Sequence, residues 1–186
     1  MDKKHTQISR FLSFILRHNP ESIGLKLDSN GWASVAELIE LAEHKGKRLT
    51  KGLIDYIVEN NNKQRFSLSS DGQKIRANQG HSIPIDLNLQ QERPPEFLYH
   101  GSATRFLDAI SMEGLKPVDR HHVHMSGSAD SAREVGRRHG KPVVLKILAL
   151  TMNADGYKFY QSQNRVWLTD AVPVLYIEIL PDIVID

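Results

Sequence analysis

Residues 83–96, IPIDLNLQQERPPE, constrain the fold more than any other stretch of this chain. They carry neither a helical nor a strand period, and they end in Pro94-Pro95. Proline removes a backbone donor and fixes φ, and the residue before it is held away from helix. No regular element runs through such a segment, so it reads as a linker or a domain boundary. The 186 residues are therefore expected to build two small lobes, residues 1–82 and 97–186, joined by residues 83–96.

Hydrophobic residues make up 40% of the chain and charged residues 25%, the balance of a soluble globular protein. No apolar run approaches the roughly 20 residues of a membrane helix. The first ten residues are polar, so no secretory signal is expected. There is no cysteine, which excludes disulfides, thiolate metal sites and a cysteine nucleophile and fits a cytoplasmic protein. The net charge of +2 conceals an asymmetry: residues 1–82 hold 13 Lys/Arg against 9 Asp/Glu, and residues 83–186 hold 11 against 13. A basic front half can meet a polyanion through its phosphates, although charge alone reads equally well as ordinary surface variation.

In the front half, Ile8, Phe11, Leu12, Ile15 and Leu16 follow the spacing of an amphipathic helix, limited by Pro20. After a Gly31-Trp32 turn, Ser34 and Glu37 have capping-box spacing, and Val35, Leu38, Ile39 and Ala42 line a second helix. Thr50 can cap a third, with Leu53, Ile54, Ile57 and Val58 apolar and Asn60-Asn61-Asn62 at its end. Strands are expected over 65–69 and 73–77, with Ser70-Asp71-Gly72 as the turn. Three helices and a hairpin describe a winged-helix-like unit. The back half reads as strands over 97–100, 123–125, 142–149, 166–168 and 174–180, with helices over 104–112 and 131–139. The fold class is α+β.

Residues 75–82, IRANQGHS, follow the hairpin and place an arginine and a histidine around two amides and a glycine. The guanidinium of Arg76 offers a planar fork suited to phosphate. Arg17-His18 closes the first helix, where a cation is favoured by the dipole alone. A phosphate clamp is the alternative reading, and it requires Arg76 to converge on the same place. His121, His122 and His124 cluster, and a strand would put His122 and His124 on one face. No carboxylate stands at a partner spacing, so no metal is expected, and His124 and Ser126 read better as pocket-lining hydrogen-bond groups. Arg133, Arg137 and Arg138 fall on the helix expected over 131–139, where adjacent residues point in different directions. There is no G-x-G-x-x-G and no phosphate-binding G-x-x-x-x-G-K-[ST], so a bound nucleotide would lie outside those schemes.

These stretches, in this order, resemble one family. Residues 12–20 (LSFILRHNP), Gly31-Trp32, residues 75–82, Leu98-Tyr99-His100-Gly101, His122-Val123-His124-Met125-Ser126, residues 135–140 and Val166-Trp167-Leu168-Thr169 are similar to the NAD-dependent RNA 2′-phosphotransferases. These are the KptA type of bacteria and its eukaryotic tRNA-splicing relatives, and the resemblance covers nearly the whole chain. It implies an N-terminal winged-helix-like lobe that meets RNA and a C-terminal ADP-ribosyltransferase-like lobe that binds NAD. The implied reaction removes an internal 2′-phosphate from RNA. The phosphate attacks C1″ of the NAD ribose and expels nicotinamide, giving a 2′-phospho-ADP-ribosylated RNA. The ribose 2″-hydroxyl then attacks phosphorus, releasing 2′-OH RNA and ADP-ribose 1″,2″-cyclic phosphate.

The resemblance also implies a catalytic tetrad of Arg17, His18, Arg76 and Arg138, with Arg133 the other candidate for the fourth place. His100, Gly101, Ser102, His124 and Ser126 match positions expected to hold NAD, which is consumed as co-substrate with no metal. Ser102 stands where the family usually has threonine and Met125 where leucine is common; each keeps its hydroxyl or its apolar bulk. His18 is the tetrad member able to exchange a proton near pH 7, toward either the 2″-hydroxyl or the departing 2′-oxygen. The expected partners are RNA and NAD, with no membrane, and the protein is expected to act as a monomer. Two rivals remain. One is an ADP-ribosyltransferase that stops after the first step, for which Glu178 is a weak acceptor-site candidate. The other is a non-catalytic winged-helix nucleic-acid binder.

Overall fold

The computed structural model describes residues 3–181, and these form an α+β fold of short helices and antiparallel strands. The chain divides into two compact units, Met1–Asn88 and Leu89–Asp186, each with its own apolar core.

The first unit contains α1 (Lys3–Arg17), a 3-10 turn (Pro20–Ile23), β1 (Ala33–Ser34), α2 (Val35–His44), α3 (Lys51–Glu59), β2 (Phe66–Leu68) and β3 (Lys74–Ala77). Leu12, Ile15 and Leu16 of α1, Leu38 of α2 and Ile54 and Ile57 of α3 are all buried, together with Phe66, Ile75 and Ala77 from the sheet. The apolar stripes of the sequence are thus the faces that meet in this core. Both expected caps form: Ser34 Oγ accepts from the Glu37 N–H at 3.3 Å, and Thr50 Oγ1 from the Leu53 N–H at 3.2 Å. In the hairpin turn Asp71 accepts from the Gln73 N–H at 3.0 Å, and Gly72 takes φ +68°. The sheet order is β1-β3-β2, so β3 is central. β1 was not expected. Two residues are too few to show a period, and they are extended because they complete the edge of β3, ending on the residue that caps α2.

Residues 83–96 are held by hydrogen bonds on both sides of the division. Asp86 donates its N–H to the Ser29 carbonyl at 2.9 Å and accepts from Asn30 Nδ2 at 2.8 Å, within the first unit. Glu92 donates to the Phe159 carbonyl at 2.9 Å, and the Glu96 carbonyl accepts from Leu150 at 3.2 Å, within the second. The segment is irregular because its backbone groups bond to scattered partners, with a single bridge from Gln91 to Tyr160, rather than to a continuous strand ladder.

The second unit runs β4 (Leu98–Ala103), α4 (Leu107–Glu113), β5 (Val123–Met125), α5 (Ala129–Gly136), β6 (Pro142–Ile147), α6 (Ala149–Ala154), β7 (Tyr160–Gln161), β8 (Trp167–Thr169) and β9 (Ile177–Ile179). Two sheets form, β4-β6-β9 and β5-β8-β7. Tyr99 and Ser126 exchange backbone hydrogen bonds of 2.9 and 2.8 Å and so tie β4 to the end of β5.

Several expected boundaries move. The strand over 142–149 stops at Ile147, and Ala149 opens α6, which was not expected. The strand over 174–180 begins as a 3-10 turn (Val174–Tyr176) after Pro173, with Leu175 exposed, and only Ile177–Ile179 pair. The helix over 131–139 is displaced to Ala129–Gly136, because Ser128 caps it by accepting from the Ser131 N–H at 3.3 Å. Arg138 therefore does not lie on this helix. It sits in the turn after it, where Arg138 and His139 donate to the Val135 and Gly136 carbonyls, tightening the chain from the α to the 3-10 pattern.

Candidate active site

In the first unit, three of the singled-out residues gather around residues 75–82. Arg17 ends α1 and His18 follows it, each N-terminal to the irregular bend at Asn19. Downstream, Ser82 returns to this helix end: its N–H donates to the Arg17 carbonyl at 3.0 Å, and its hydroxyl lies 2.9 Å from His18 Nδ1. The orphan carbonyl of a helix C-terminus thus finds its donor in the very segment that carries Arg76. Gly80, at φ +85°, lies beside the Arg17 guanidinium, where a Cβ would sit 3.7 Å from Nη1 in ordinary van der Waals contact. A side chain at 80 would be strained by φ.

Arg76 stands on the central strand β3, opposite Ser67 of β2. Its guanidinium carbon lies 4.6 Å from the centre of the Trp32 ring. The side chain is half-buried, and its Nε is buried without a hydrogen bond among the described residues. Burial pulls its pKa down, and the nearby Asp28 carboxylate pulls it back up. Next along the strand, Asn78 accepts from the Ser67 hydroxyl at 2.7 Å and donates to the Gln64 carbonyl at 2.7 Å. That amide anchors the chain where it leaves β3. His81 is buried beside Gly31 rather than presented to solvent.

In the second unit, β4 carries His100, Gly101 and Ser102. His100 Nδ1 donates to the His124 carbonyl at 2.8 Å, which fixes the neutral tautomer and leaves Nε2 as the acceptor. Burial pushes the His100 pKa down; the hydrogen bond to the His124 carbonyl opposes this, while His139 and Arg120 add to it. His100 is therefore neutral at pH 7. Gly101 is required by packing: a Cβ would fall 1.7 Å from the Ala132 carbonyl oxygen. Gly136 answers it, with its own Cβ position 2.5 Å from the Ser102 carbonyl oxygen. Two glycines thus let α5 lie directly on β4, and Ser102 is buried beneath it. His124 and Ser126 are half-buried at the end of the β5 sheet.

Of the arginines around α5, Arg133 is half-buried and 3.6 Å from Asp130, and Arg137 pairs with Glu134. Arg138 is exposed and forms no ion pair or side-chain hydrogen bond among the described residues. His122 pairs with Asp170 at 3.6 Å and meets the Tyr160 ring edge-on at 5.7 Å. Burial lowers its pKa, against the pull of Asp170. Among the described residues no group of three or more His, Cys, Asp or Glu is placed to hold a metal. Glu178 is bonded to Lys146 Nζ at 2.9 Å on β9. Sequence reasoning missed the part of Trp32 against Arg76 and of Arg120 and His139 around His100. Only the strand register signals the first, and no sequence period signals the second.

Residues 3–171 match the model of the family described as RNA 2′-phosphotransferase, Tpt1/KptA family, a span that holds every one of these positions except Glu178. The chain belongs to this family. A probable RNA 2′-phosphotransferase of Flavobacterium johnsoniae is 55% identical over 171 residues, covering 92% of this chain and 94% of that protein. Similar proteins of Pectobacterium carotovorum (52% over 179 residues, 96% of each chain) and Acaryochloris marina (54% over 176 residues, 95% and 97%) carry the same name. No described helix is long and apolar enough to cross a membrane.

Proposed function

We propose that this protein removes an internal 2′-phosphate from RNA by transferring it to NAD in the two steps that the resemblance implies, with a winged-helix-like first lobe and an ADP-ribosyltransferase-like second lobe. The observation that carries the reading is the return of residues 75–82 onto the end of α1. There Ser82 bonds both the Arg17 carbonyl and the His18 ring, on the segment that bears Arg76. Two guanidinium forks and an imidazole, linked through this one segment, would suit a phosphate dianion, since positioning and charge matching lower such a barrier most.

The residues of the second unit fit NAD. His100 is neutral and oriented, leaving Nε2 as the acceptor for a ribose hydroxyl, and Arg120 adds positive charge to its surroundings, as a pyrophosphate requires. Bound NAD would supply an electrophilic ribose carbon and nicotinamide as leaving group. His100, Ser102, His124 and Ser126 hold it, and Gly101 serves by letting α5 close on β4. Arg17 and Arg76 bind the 2′-phosphate, with Arg138 as the fourth member; among the described residues it has no ion pair to break first. His18, whose Nδ1 faces the Ser82 hydroxyl, moves the proton. In this reading the protein acts as a monomer.

The test is incubation with NAD and an RNA bearing one internal 2′-phosphate. Nicotinamide, a cyclic phosphate product and RNA lacking the 2′-phosphate are expected. Accumulation of stable ADP-ribosylated RNA would assign a transferase that stops halfway. RNA binding without NAD consumption would leave only a nucleic-acid binder.

A further inference from the structure

The structure assigns Trp32 a role in the reaction: its indole face is a positioning element that holds the Arg76 guanidinium for the 2′-phosphate. The inference rests on the proposed transferase reading. It begins with strand register. Ala33 pairs with Ile75 and Ser34 with Lys74, so continuing the antiparallel ladder by one residue sets Trp32 opposite Arg76. Opposite residues project to the same face of a sheet, and cross-strand pairs are the unit of side-chain contact there. On its other flank Arg76 faces Ser67. The contact follows directly, with the guanidinium carbon 4.6 Å from the ring centre, well inside cation–π range.

Trp32 is itself held. The Asp28 carboxylate accepts from the N–H groups of Asn30 at 3.0 Å and Trp32 at 2.9 Å, and the Asp28 N–H donates to the Trp32 carbonyl at 2.9 Å. Gly31 takes φ +80° to close this loop, and a Cβ there would press on Ile85 at 3.1 Å. The loop is therefore a bracket that fixes the indole over the strand. The same Asp28 lies 3.6 Å from Lys74 and acts electrostatically on Arg76.

This geometry answers a need that Arg76 has and its neighbours on β3 do not meet. Its Nε is buried without a hydrogen bond among the described residues, so no polar partner there fixes the plane of the fork. An aromatic face can fix that plane while occupying none of the N–H donors, which leaves them for phosphate oxygens. A carboxylate in the same place would compete with the phosphate for them.

The test compares Trp32→Phe with Trp32→Leu in the full-length protein, using NAD and the 2′-phosphorylated RNA. Loss of orientation is expected to lower kcat about tenfold in Trp32→Leu, with a smaller change in KM. Trp32→Phe, which keeps an aromatic face, should restore most of the rate. A second measurement does not depend on turnover. The emission difference between wild type and Trp32→Phe isolates Trp32, and it should change on addition of 2′-phosphorylated RNA without NAD but not of the same RNA with a 2′-hydroxyl. Equal rates for the Leu and Phe variants, or a Trp32 signal indifferent to the 2′-phosphate while the wild type turns over, would overturn this inference and spare the transferase reading. A wild-type protein that leaves the 2′-phosphate in place would overturn both.

Discussion

Arg76 shows how a cation is kept charged where burial works against it. Desolvation lowers its pKa, Asp28 opposes that shift, and the guanidinium starts so far above neutrality that it stays protonated. Its removal should therefore affect chemistry and not folding. Arg76→Ala is expected to cut turnover by about a hundredfold or more, as loss of a transition-state donor does, while the thermal midpoint stays within a few degrees of wild type. Near-normal turnover in an assay with NAD and 2′-phosphorylated RNA would remove Arg76 from the mechanism. His100 illustrates the opposite sign of titration. Its folded pKa lies below that of the unfolded chain, so the unfolded state binds the proton first. Stability is fully present above the ordinary histidine pKa of about 6.5 and is lost as pH falls below it toward the depressed folded value. The urea midpoint should fall between pH 7 and pH 5, and His100→Gln should flatten part of that fall. His122, whose pKa is also lowered by burial, accounts for a further part. An unchanged slope in His100→Gln would show that its burial is not felt as protonation energy.

At the scale of elements, the seating of α5 on β4 depends on two absent side chains. Gly101→Ala would drive a Cβ to 1.7 Å from the backbone oxygen of Ala132, so helix and strand must part. Overpacking of this kind costs about 1–3 kcal/mol or more, and denaturant titration should show it. Gly127→Ala, where a Cβ meets nothing within 4 Å, should shift stability by less than about 0.5 kcal/mol. Comparable midpoints for the two variants would mean that α5 is free to move. The elements also show what a sequence makes legible. The apolar stripes of α1, α2 and α3, the Ser34 and Thr50 caps and the Asp71-Gly72 turn all stand where their local chemistry puts them. Such signals need only a few neighbouring residues. β1, β7 and α6 escaped notice because two to six residues carry no period, and β1 is set by a partner far along the chain. Arg138 was misplaced for a related reason: Ser128 starts α5 earlier than its apolar residues suggest, and the helix runs out before residue 138.

For the whole molecule, the division of charge becomes a prediction about RNA. The excess of Lys/Arg lies in residues 1–82, the part that holds Arg17, His18 and Arg76. If these cations neutralise phosphates, binding releases counterions with a slope of about 0.7 per phosphate on a single strand. Three phosphate contacts then predict an affinity loss of roughly tenfold or more between about 50 and 200 mM salt. Filter binding or anisotropy of the full chain with 2′-phosphorylated RNA would measure it, and a salt-independent Kd would deny the electrostatic footing of the first unit. By itself the sequence determined the α+β class, most helices and strands, and the identities of the candidate site residues, because periodicity, capping and residue chemistry are local properties. It also carried the motifs that place the chain in its family. Tertiary structure alone decided that Ser82 closes on Arg17 and His18, that Trp32 covers Arg76, and that the His100 ring is oriented by the carbonyl of His124. Those relations join residues 64, 44 and 24 positions apart, and only the register of strands and the packing of cores brings such residues together.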